Sequence, residues 1–459
     1  MKTIPRFIRR TDVRCAAWIA LCFSLASGLY LSWLYHLLPL VGSTAADVWT
    51  MVVGYLAQAV GVGAAMRLLR REAPERHGRL FTGAVLLLLL VSLPALLSSS
   101  LPAVLVFGLL LNLLCGGMAG FYLYVPARRI EERRRGLVFG SGYGAATVFV
   151  WLLSLSGELG LPPERAALPV YLALAFGAVW LARPLLAPDG EEEPLQAAGK
   201  AKPRRLWLFA LAVVVLLSLV KNLGFSFPSA DLSLGVDLEL SRVFYAVGLI
   251  AAGFVTDRSR KTGAGCTVAA LVIPFILLSF SGEPVPSFVC WSLNYLFYGF
   301  FSVYRVVLFM DLAAQAGKPA YAPLGLLAGR VGDAVGTGLC IALGQHKIAL
   351  VLLAGALFIL TVLLFLRLFQ RVYEPESVQL RTEREVFDTF ANQHDLSSRE
   401  KEVLRLLLNE QPNATIAETL CVSESTIKFH VHNLLQKTGA KSRKELVQKY
   451  QALLYSRDG

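Results

Sequence analysis

The sequence predicts an all-α protein in two unequal parts: a twelve-span membrane helical bundle, then a small four-helix domain. Of its 459 residues, 55% are hydrophobic, well above the share in soluble proteins. Runs of roughly 20 apolar residues, the length that crosses ~30 Å of hydrocarbon, recur as far as about residue 370. After residue 395 these runs stop, and short amphipathic segments with helix-capping residues replace them.

The apolar runs fall into two sets of six, which predicts two six-helix halves at about residues 1–187 and 206–370, joined by a cytoplasmic loop at 188–205. Span 5 opens with GLVFGSGYG and span 11 with GLLAGRVGDAVG, and this internal repeat supports the division. The twelve runs lie near 15–38, 48–69, 80–98, 103–124, 137–155, 166–186, 206–223, 241–256, 263–280, 286–311, 321–344 and 349–369.

The distribution of Lys and Arg predicts the orientation in the lipid bilayer. Basic residues crowd the amino terminus and the loops after even-numbered spans, whereas Arg165 and Lys347 are exceptions in the loops after odd-numbered spans. By the positive-inside rule both termini are cytoplasmic, and a multi-pass protein of the bacterial cytoplasmic (inner) membrane is expected. Much of the net charge of +12 therefore reflects topology. The first apolar run is too long for a signal peptide, so we expect a retained span.

The loop after span 8 carries a recognisable motif. The segment GFVTDRSRK at 253–261 resembles the G-x-x-x-D-R-x-G-R-R loop of major facilitator transporters. Arg260 replaces the second Gly of that pattern, and the first-half counterpart near Gly63 has no Asp. The resemblance implies a facilitator-like six-plus-six fold.

Charged residues inside the spans are the candidates for sensing or coupling. Arg330 and Asp333 lie about nine to twelve residues into span 11, near the expected midplane, and their i, i+3 spacing allows them to pair. A charge there costs at least ~2.5 kcal/mol and is normally kept for a pathway or ligand, although a structural pair explains it equally well. Arg305 in span 10 is the third candidate, with snorkelling to the cytoplasmic edge as the simpler alternative. Lys221 and Arg242 are predicted toward the outer face.

Four glycines of span 11 share one helical face. They follow one another at i, i+4, i+7 and i+11: Gly325, Gly329, Gly332 and Gly336. Small residues let helices approach closely in lipid, so close helix packing is the favoured interpretation.

Neither an enzyme nor a metal site is expected. Six of the seven cysteines lie within spans, none forms a C-x-x-C pair, and the sequence has neither a phosphate-binding loop nor a nucleophile elbow. We therefore predict no catalytic residue, metal or cofactor.

Residues 371–395 are predicted to link the two parts. The stretch 376–391 is charged and could be helical, with Val386, Phe387 and Phe390 on one side; a flexible tether is the alternative.

The carboxyl-terminal part, residues 396–459, contains four predicted helices. Ser397 and Glu400 form a capping box, Pro412 and Asn413 cap a short second helix at 414–420, and Ser423 caps the third. A further capping pair, Ser442 and Glu445, opens the fourth helix, and Gly439 stands just beyond the end of the third.

The two faces of the third helix differ in character. Ile427, Val431 and Leu434 form an apolar face, and Lys428, Phe429, His432 and Gln436 lie opposite. No acidic residue occurs from 425 to 444, whereas five basic residues do: Lys428, Lys437, Lys441, Arg443 and Lys444. Such a basic face suits the major groove of double-stranded DNA.

Residues 396–446 resemble the LuxR/FixJ family of bacterial regulators. The matching positions are Arg399, Glu400, Glu402, Val403, Leu404, Asn413, Ile416, Ala417, Ser423, Thr426, Ile427, Lys428, His430, Asn433, Lys437, Gly439 and Arg443. The resemblance implies a LuxR-type helix-turn-helix that binds DNA as a dimer, with its third helix in the major groove. It places base contacts at Lys428, Phe429 and His432 and a phosphate contact at Thr426. Glu410 stands where the family usually has Gly.

Together these features predict a membrane-integrated one-component transcription regulator. The membrane domain would sense an unknown small-molecule ligand, and the terminal domain would bind promoter DNA. The homodimer would form through the fourth helix, with Leu446, Val447, Tyr450 and Leu454 as the interface. One alternative is a transporter with a DNA-binding regulatory domain; another is a terminal domain that binds protein. The predicted DNA-binding residues are Thr426, Lys428, Phe429, His432, Lys437, Lys441 and Arg443.

Overall fold

The computed structural model describes residues 9–155, 163–187, 203–225, 238–277, 284–343, 346–373, 384, 386–409 and 411–455. All regular secondary structure in these ranges is helical, which confirms the all-α prediction. The chain forms two compact units, Met1–Phe369 and Gln370–Gly459.

The described residues of the first unit include twelve long helices, and each coincides with one predicted span. Ten of them, judged on the described residues, are long and apolar enough to cross a membrane. The other two long helices, α8 with 21 residues and α9 with 18, do not belong to these ten. The helices are α1 Arg10–Val41, α2 Ser43–Arg71, α3 Pro74–Leu97, α4 Leu101–Arg129, α5 Arg135–Leu155, α6 Pro163–Leu186, α7 Arg204–Phe225, α8 Leu238–Arg258, α9 Arg260–Leu277, α10 Pro284–Gln315, α11 Leu324–Leu343 and α12 Lys347–Tyr373.

The packing of these helices repeats after every six. Helix α1 packs on α5, as α7 packs on α11, and α2 packs on α4, as α8 packs on α10. The halves meet through two equivalent pairs, α5 with α8 and α2 with α11. The two-half architecture predicted from the glycine-rich openings of spans 5 and 11 is therefore confirmed.

The glycines of α11 lie at close helix contacts. A Cβ on Gly332 would overlap the carbonyl oxygen of Val215 in α7, and one on Gly336 would lie 2.8 Å from that of Leu219. Gly329 instead faces the guanidinium of Arg305. The predicted role in helix packing is confirmed, and one of the four glycines also makes room for a charged side chain.

The second unit contains α13 Ser398–Leu408, α14 Asn413–Thr419, α15 Glu424–Thr438 and α16 Arg443–Tyr455. The predicted capping box of α13 is present, because the Ser397 hydroxyl accepts from the Glu400 N–H while the Glu400 carboxylate accepts from the Ser397 N–H. Gly439 ends α15 in the left-handed conformation, φ 65°.

Two local predictions in this unit need correction. Helix α14 begins at Asn413 with Pro412 as its N-cap residue, so Asn413 lies inside the helix that it was predicted to cap. The Glu445 carboxylate accepts from the Lys441 N–H, so α16 has only the Ser442 half of the predicted capping box. Glu410 lies outside the described residues.

Residues 386–393 are helical and belong to the core of the second unit. Phe387, Phe390 and Ala391 are buried there together with residues of α13 to α16. Tyr450 of α16 packs edge-on against Phe390, with ring centroids 5.6 Å apart, and Leu446 is fully buried. Tyr450, which belongs to the face of α16 predicted to form the dimer, is therefore packed against a segment that the sequence had assigned to the linker. The side chain of Leu454, on the same predicted face, lies outside the described residues.

Candidate nucleic-acid interface and buried charge cluster

Helix α15 presents a basic and aromatic face to solvent. Its opposite face packs inward, with Ile427 and Leu434 fully buried in the domain core. Lys428, Phe429 and His432 are exposed, and 62% of Phe429 is accessible. The exposed face of α15 therefore combines a cation, a hydrogen-bonding ring and an apolar ring, side-chain types that can contact the base edges of DNA.

Lys428 is held in the free domain by a weak partner. Its ammonium lies 3.0 Å from the carboxylate of Glu424, one helical turn earlier. The side chain of Lys428 is 64% exposed and that of Glu424 is 50% exposed. An exposed i, i+4 pair contributes about 0.3–0.5 kcal/mol. Breaking this contact would therefore cost little, and Lys428 is available for another partner. The sequence analysis had overlooked Glu424, which immediately precedes the acid-free stretch.

The other predicted DNA-binding residues differ in their surroundings. Thr426 is partly buried at the start of α15, where its hydroxyl lies 2.8 Å from that of Ser423. Lys441 is exposed beyond the end of α15. Arg443 donates to the carbonyl oxygen of Gln411 at 2.7 Å, and so joins α16 to the connection after α13.

Lys437 is engaged within the domain. Its ammonium donates to the Glu400 carboxylate at 2.7 Å and to the Asp395 carbonyl at 3.0 Å. Glu400 is 3% exposed. Burial alone would raise its pKa, but the hydrogen bonds from Lys437 and from the Ser397 backbone outweigh burial and lower it. Lys437 and Arg443 thus serve as scaffold contacts, a role the sequence analysis did not foresee.

A second cluster surrounds Asp333 inside the membrane unit. Its carboxylate lies 3.0 Å from Lys221, 3.4 Å from Arg305 and 3.8 Å from Arg330. The Asp333 side chain is 2% exposed. The predicted Arg330–Asp333 pair is therefore the longest of three contacts, and three helices contribute the cations.

Two of these cations lie elsewhere than expected. Arg305 is buried, with its guanidinium 4.9 Å from the centre of the Phe301 ring and 3.4 Å from the Ser218 hydroxyl, so it does not snorkel. Lys221 turns inward instead of lining an outer mouth, and its ammonium lies 4.8 Å from the centre of the Tyr298 ring. The side chain of Arg242 lies outside the described residues. The position of Lys221 within an otherwise apolar run was a sequence signal that could have indicated a buried ion pair.

A further buried charge, Asp311 of α10, escaped the sequence analysis. It is fully buried and accepts from Arg135 at 3.0 Å and from Arg260 at 2.9 Å. Arg260 also donates to Asp257, whose carboxylate accepts from the N–H of Leu137 at 2.7 Å. The loop motif after span 8 thus joins the second half to the start of α5. Arg260, which replaces the Gly of the motif, contacts both Asp257 and Asp311.

The comparisons with known proteins agree with this division. The family described as "Bacterial regulatory proteins, luxR family" matches residues 394–450. The nitrate/nitrite response regulator protein NarL of Escherichia coli is 39% identical over 69 residues, which are 15% of this chain and 31% of NarL. The spore germination protein GerE of Bacillus subtilis is 40% identical over 52 residues, 11% of this chain and 70% of GerE. The chain thus spans about a third of NarL and most of the shorter GerE.

A solved structure matches the other unit. The fucose:proton symporter FucP of Escherichia coli aligns with a TM-score of 0.59 and 10% identity, over 78% of this chain and 99% of that one. At this identity the match concerns the fold alone. It confirms the facilitator-like architecture indicated by the loop motif.

Proposed function

Because this chain belongs, through its carboxyl-terminal domain, to the LuxR family of bacterial regulatory proteins, we propose that it is a membrane-integrated one-component transcription regulator. The facilitator-like unit senses a small-molecule ligand, and the helix-turn-helix domain binds promoter DNA. One polypeptide then carries a signal from the bilayer to the genome.

The exposed face of α15 is the observation that carries this proposal. Lys428, Phe429 and His432 stand free of the domain core on a helix that is held by buried residues on its other side. A rigid helix with basic and aromatic side chains on one face suits insertion into the major groove. We assign base contacts to these three residues and phosphate contacts to Thr426 and Lys441.

DNA binding requires the domain to be in the cytoplasm. The positive-inside asymmetry supports a bacterial inner-membrane protein with both termini cytoplasmic. A single helix-turn-helix domain reads one half-site, so we propose that two copies bind a two-fold symmetric operator.

The proposal is tested in cells that express the full-length chain. DNA cross-linked to the protein is immunoprecipitated and sequenced, with a Lys428→Ala/His432→Ala variant as the matched control. Enrichment of a few promoters that vanishes in the variant supports the proposal. Equal recovery from both proteins contradicts it.

A transporter with a DNA-binding regulatory domain is the second candidate. The symporter-like fold favours it. Uptake of a radiolabelled inducer into vesicles that contain the full-length protein distinguishes the two, because a sensor binds the inducer without accumulating it.

A further inference from the structure

We propose that Lys221, Arg305 and Arg330 form a binding site for a small organic anion that carries a carboxylate or a phosphate. This inference names the ligand class of the proposed sensor and rests on that function for its biological purpose. The site itself is argued from the geometry of the cluster.

The cluster has an excess of positive charge. Among the described residues, its salt bridges join three cations, one each from α7, α10 and α11, to the single carboxylate of Asp333. The cationic side chains are 8–20% exposed and lie within an apolar bundle. Buried charges without counter-charges are strongly unfavourable, so a bound anion would offset the excess.

Both arginines retain unused hydrogen-bond donors. The Nε atoms of Arg305 and Arg330 are buried and have no hydrogen-bond partner among the described residues. Arg330 also has the longest contact to Asp333, at 3.8 Å, and the most exposed side chain of the cluster, at 20%. A guanidinium presents its donors as a planar fork that matches carboxylate and phosphate oxygens. Arg330 is therefore the principal anion-binding group.

Aromatic rings from both halves flank the cations. The Arg330 guanidinium lies 4.5 Å from the centre of the Tyr55 ring in α2, and Tyr55 stacks on Tyr30 of α1 at 6.3 Å. On the other side, the Lys221 ammonium lies over Tyr298 of α10 at 4.8 Å. These rings provide apolar surface for the organic part of a ligand, while the cations hold its charged end.

Asp333 acts as a positioning residue. Lys221 contacts its carboxylate at 3.0 Å, and Asn222 donates to its backbone carbonyl at 2.6 Å. These contacts hold α7 against α11 and fix one cation, while Arg305 and Arg330 keep donors for the ligand.

The experiment measures thermal unfolding of the purified full-length protein in nanodiscs. The probes are benzoate, glutarate, glycerol phosphate and inorganic phosphate, with benzamide, glutaramide and glycerol as uncharged counterparts, all at matched ionic strength in sodium chloride. We expect at least one anion to raise the midpoint saturably while its uncharged counterpart does not. Comparison of the carboxylate and phosphate arms identifies the headgroup.

Arg330→Gln should weaken the affinity for that anion about tenfold to hundredfold, the loss expected for a charged hydrogen-bonding group. Lys318→Gln, at an exposed cation between α10 and α11, should leave the affinity unchanged. Arg330→Lys keeps the charge and should retain part of the affinity, and it replaces Arg330→Gln if that variant does not fold.

The proposal is overturned if no anion stabilises the protein beyond sodium chloride, or if both Arg330 variants bind as tightly as the wild type. Anion binding that leaves promoter output unchanged would refute the sensor function and preserve the site. Promoter control by a ligand that binds equally well to the Arg330 variants would refute the anion site and preserve the sensor function.

Discussion

Lys437 donates a hydrogen bond of 2.7 Å to the carboxylate of Glu400, and thereby ties the end of α15 to the capping box at the start of α13. The Glu400 carboxylate, in a residue only 3% exposed, thus accepts hydrogen bonds from both the Ser397 N–H and the Lys437 ammonium. This contact helps to hold α15 against α13.

Removal of this cation should destabilise the terminal domain. In the 371–459 fragment, Lys437→Met leaves the buried Glu400 carboxylate without its ammonium, and we expect a loss of about 1–3 kcal/mol in the free energy of unfolding, moderated because Lys437 is 39% exposed. Lys428→Met is the matched control, since the exposed Lys428–Glu424 pair should contribute no more than about 0.5 kcal/mol. Urea unfolding measures both, and equal losses would contradict the prediction.

The same carboxylate should make the domain sensitive to acid. The pKa of folded Glu400 is lowered, so the folded state holds this proton less tightly than the unfolded state. Its contribution to stability is complete above the ordinary glutamate pKa of about 4.3 and is lost as the pH falls through the lower folded value. Glu400→Gln should flatten this part of the stability profile. Parallel wild-type and variant profiles between pH 7 and pH 3 would rule out Glu400 as the source.

A separate prediction concerns the exposed face of α15. Lys428→Ala together with His432→Ala should abolish specific promoter binding by the 371–459 fragment, because each base contact contributes about 1–3 kcal/mol. Circular dichroism should show unchanged helix content, since both side chains are exposed. Lys401→Ala, which removes the same charge from α13, is the control in a fluorescence anisotropy titration. Undiminished binding by the double variant would exclude this helix as the reader.

Membrane topology is tested with reporter fusions. Fusions at Ala198 and after Gly459 should report the cytoplasm, and a fusion at Ser99, between α3 and α4, should report the outside, as the positive-inside rule requires. Paired alkaline phosphatase and fluorescent-protein reporters supply opposite signals at each position. A cytoplasmic signal at Ser99, or an external one at the carboxyl end, would overturn the map.

Asp333 should couple the membrane unit to transcription. Asp333→Asn removes the charge that holds Lys221 and Arg305, so promoter output should change; coupling energies of about 1–3 kcal/mol are typical. The amount of protein in the membrane and the DNA affinity of the soluble fragment should not change. Glu72→Gln, which alters an exposed pair with Arg76, is the control. Wild-type output and inducer response in Asp333→Asn would make α11 a structural element only.

Local sequence patterns were sufficient for most of the helices and caps. The Ser397–Glu400 capping box and the left-handed Gly439 could be predicted because their partners lie within one helical turn. The twelve helices followed from apolar runs of membrane-spanning length. In each case the physical cause is confined to a short segment.

Contacts between distant segments could not be predicted in this way. Arg135 and Asp311 are 176 residues apart, and Lys221 and Asp333 are 112 apart. Nothing in the neighbourhood of Lys221 reveals that α7 packs against the glycines of α11. The pairing depends on the arrangement of the halves, which hydropathy does not encode.

Because Phe387 and Phe390 pack on Tyr450, the segment at 386–391 and a second chain would compete for the same part of α16. Two chains cannot meet through the covered part of this helix until each releases its own segment at 386–391. For every 1.4 kcal/mol by which that segment is held, the fraction of chains competent to associate through α16 falls tenfold. The strength of the contact between this segment and α16 would thus set the concentration of the protein in the membrane at which such pairs begin to form.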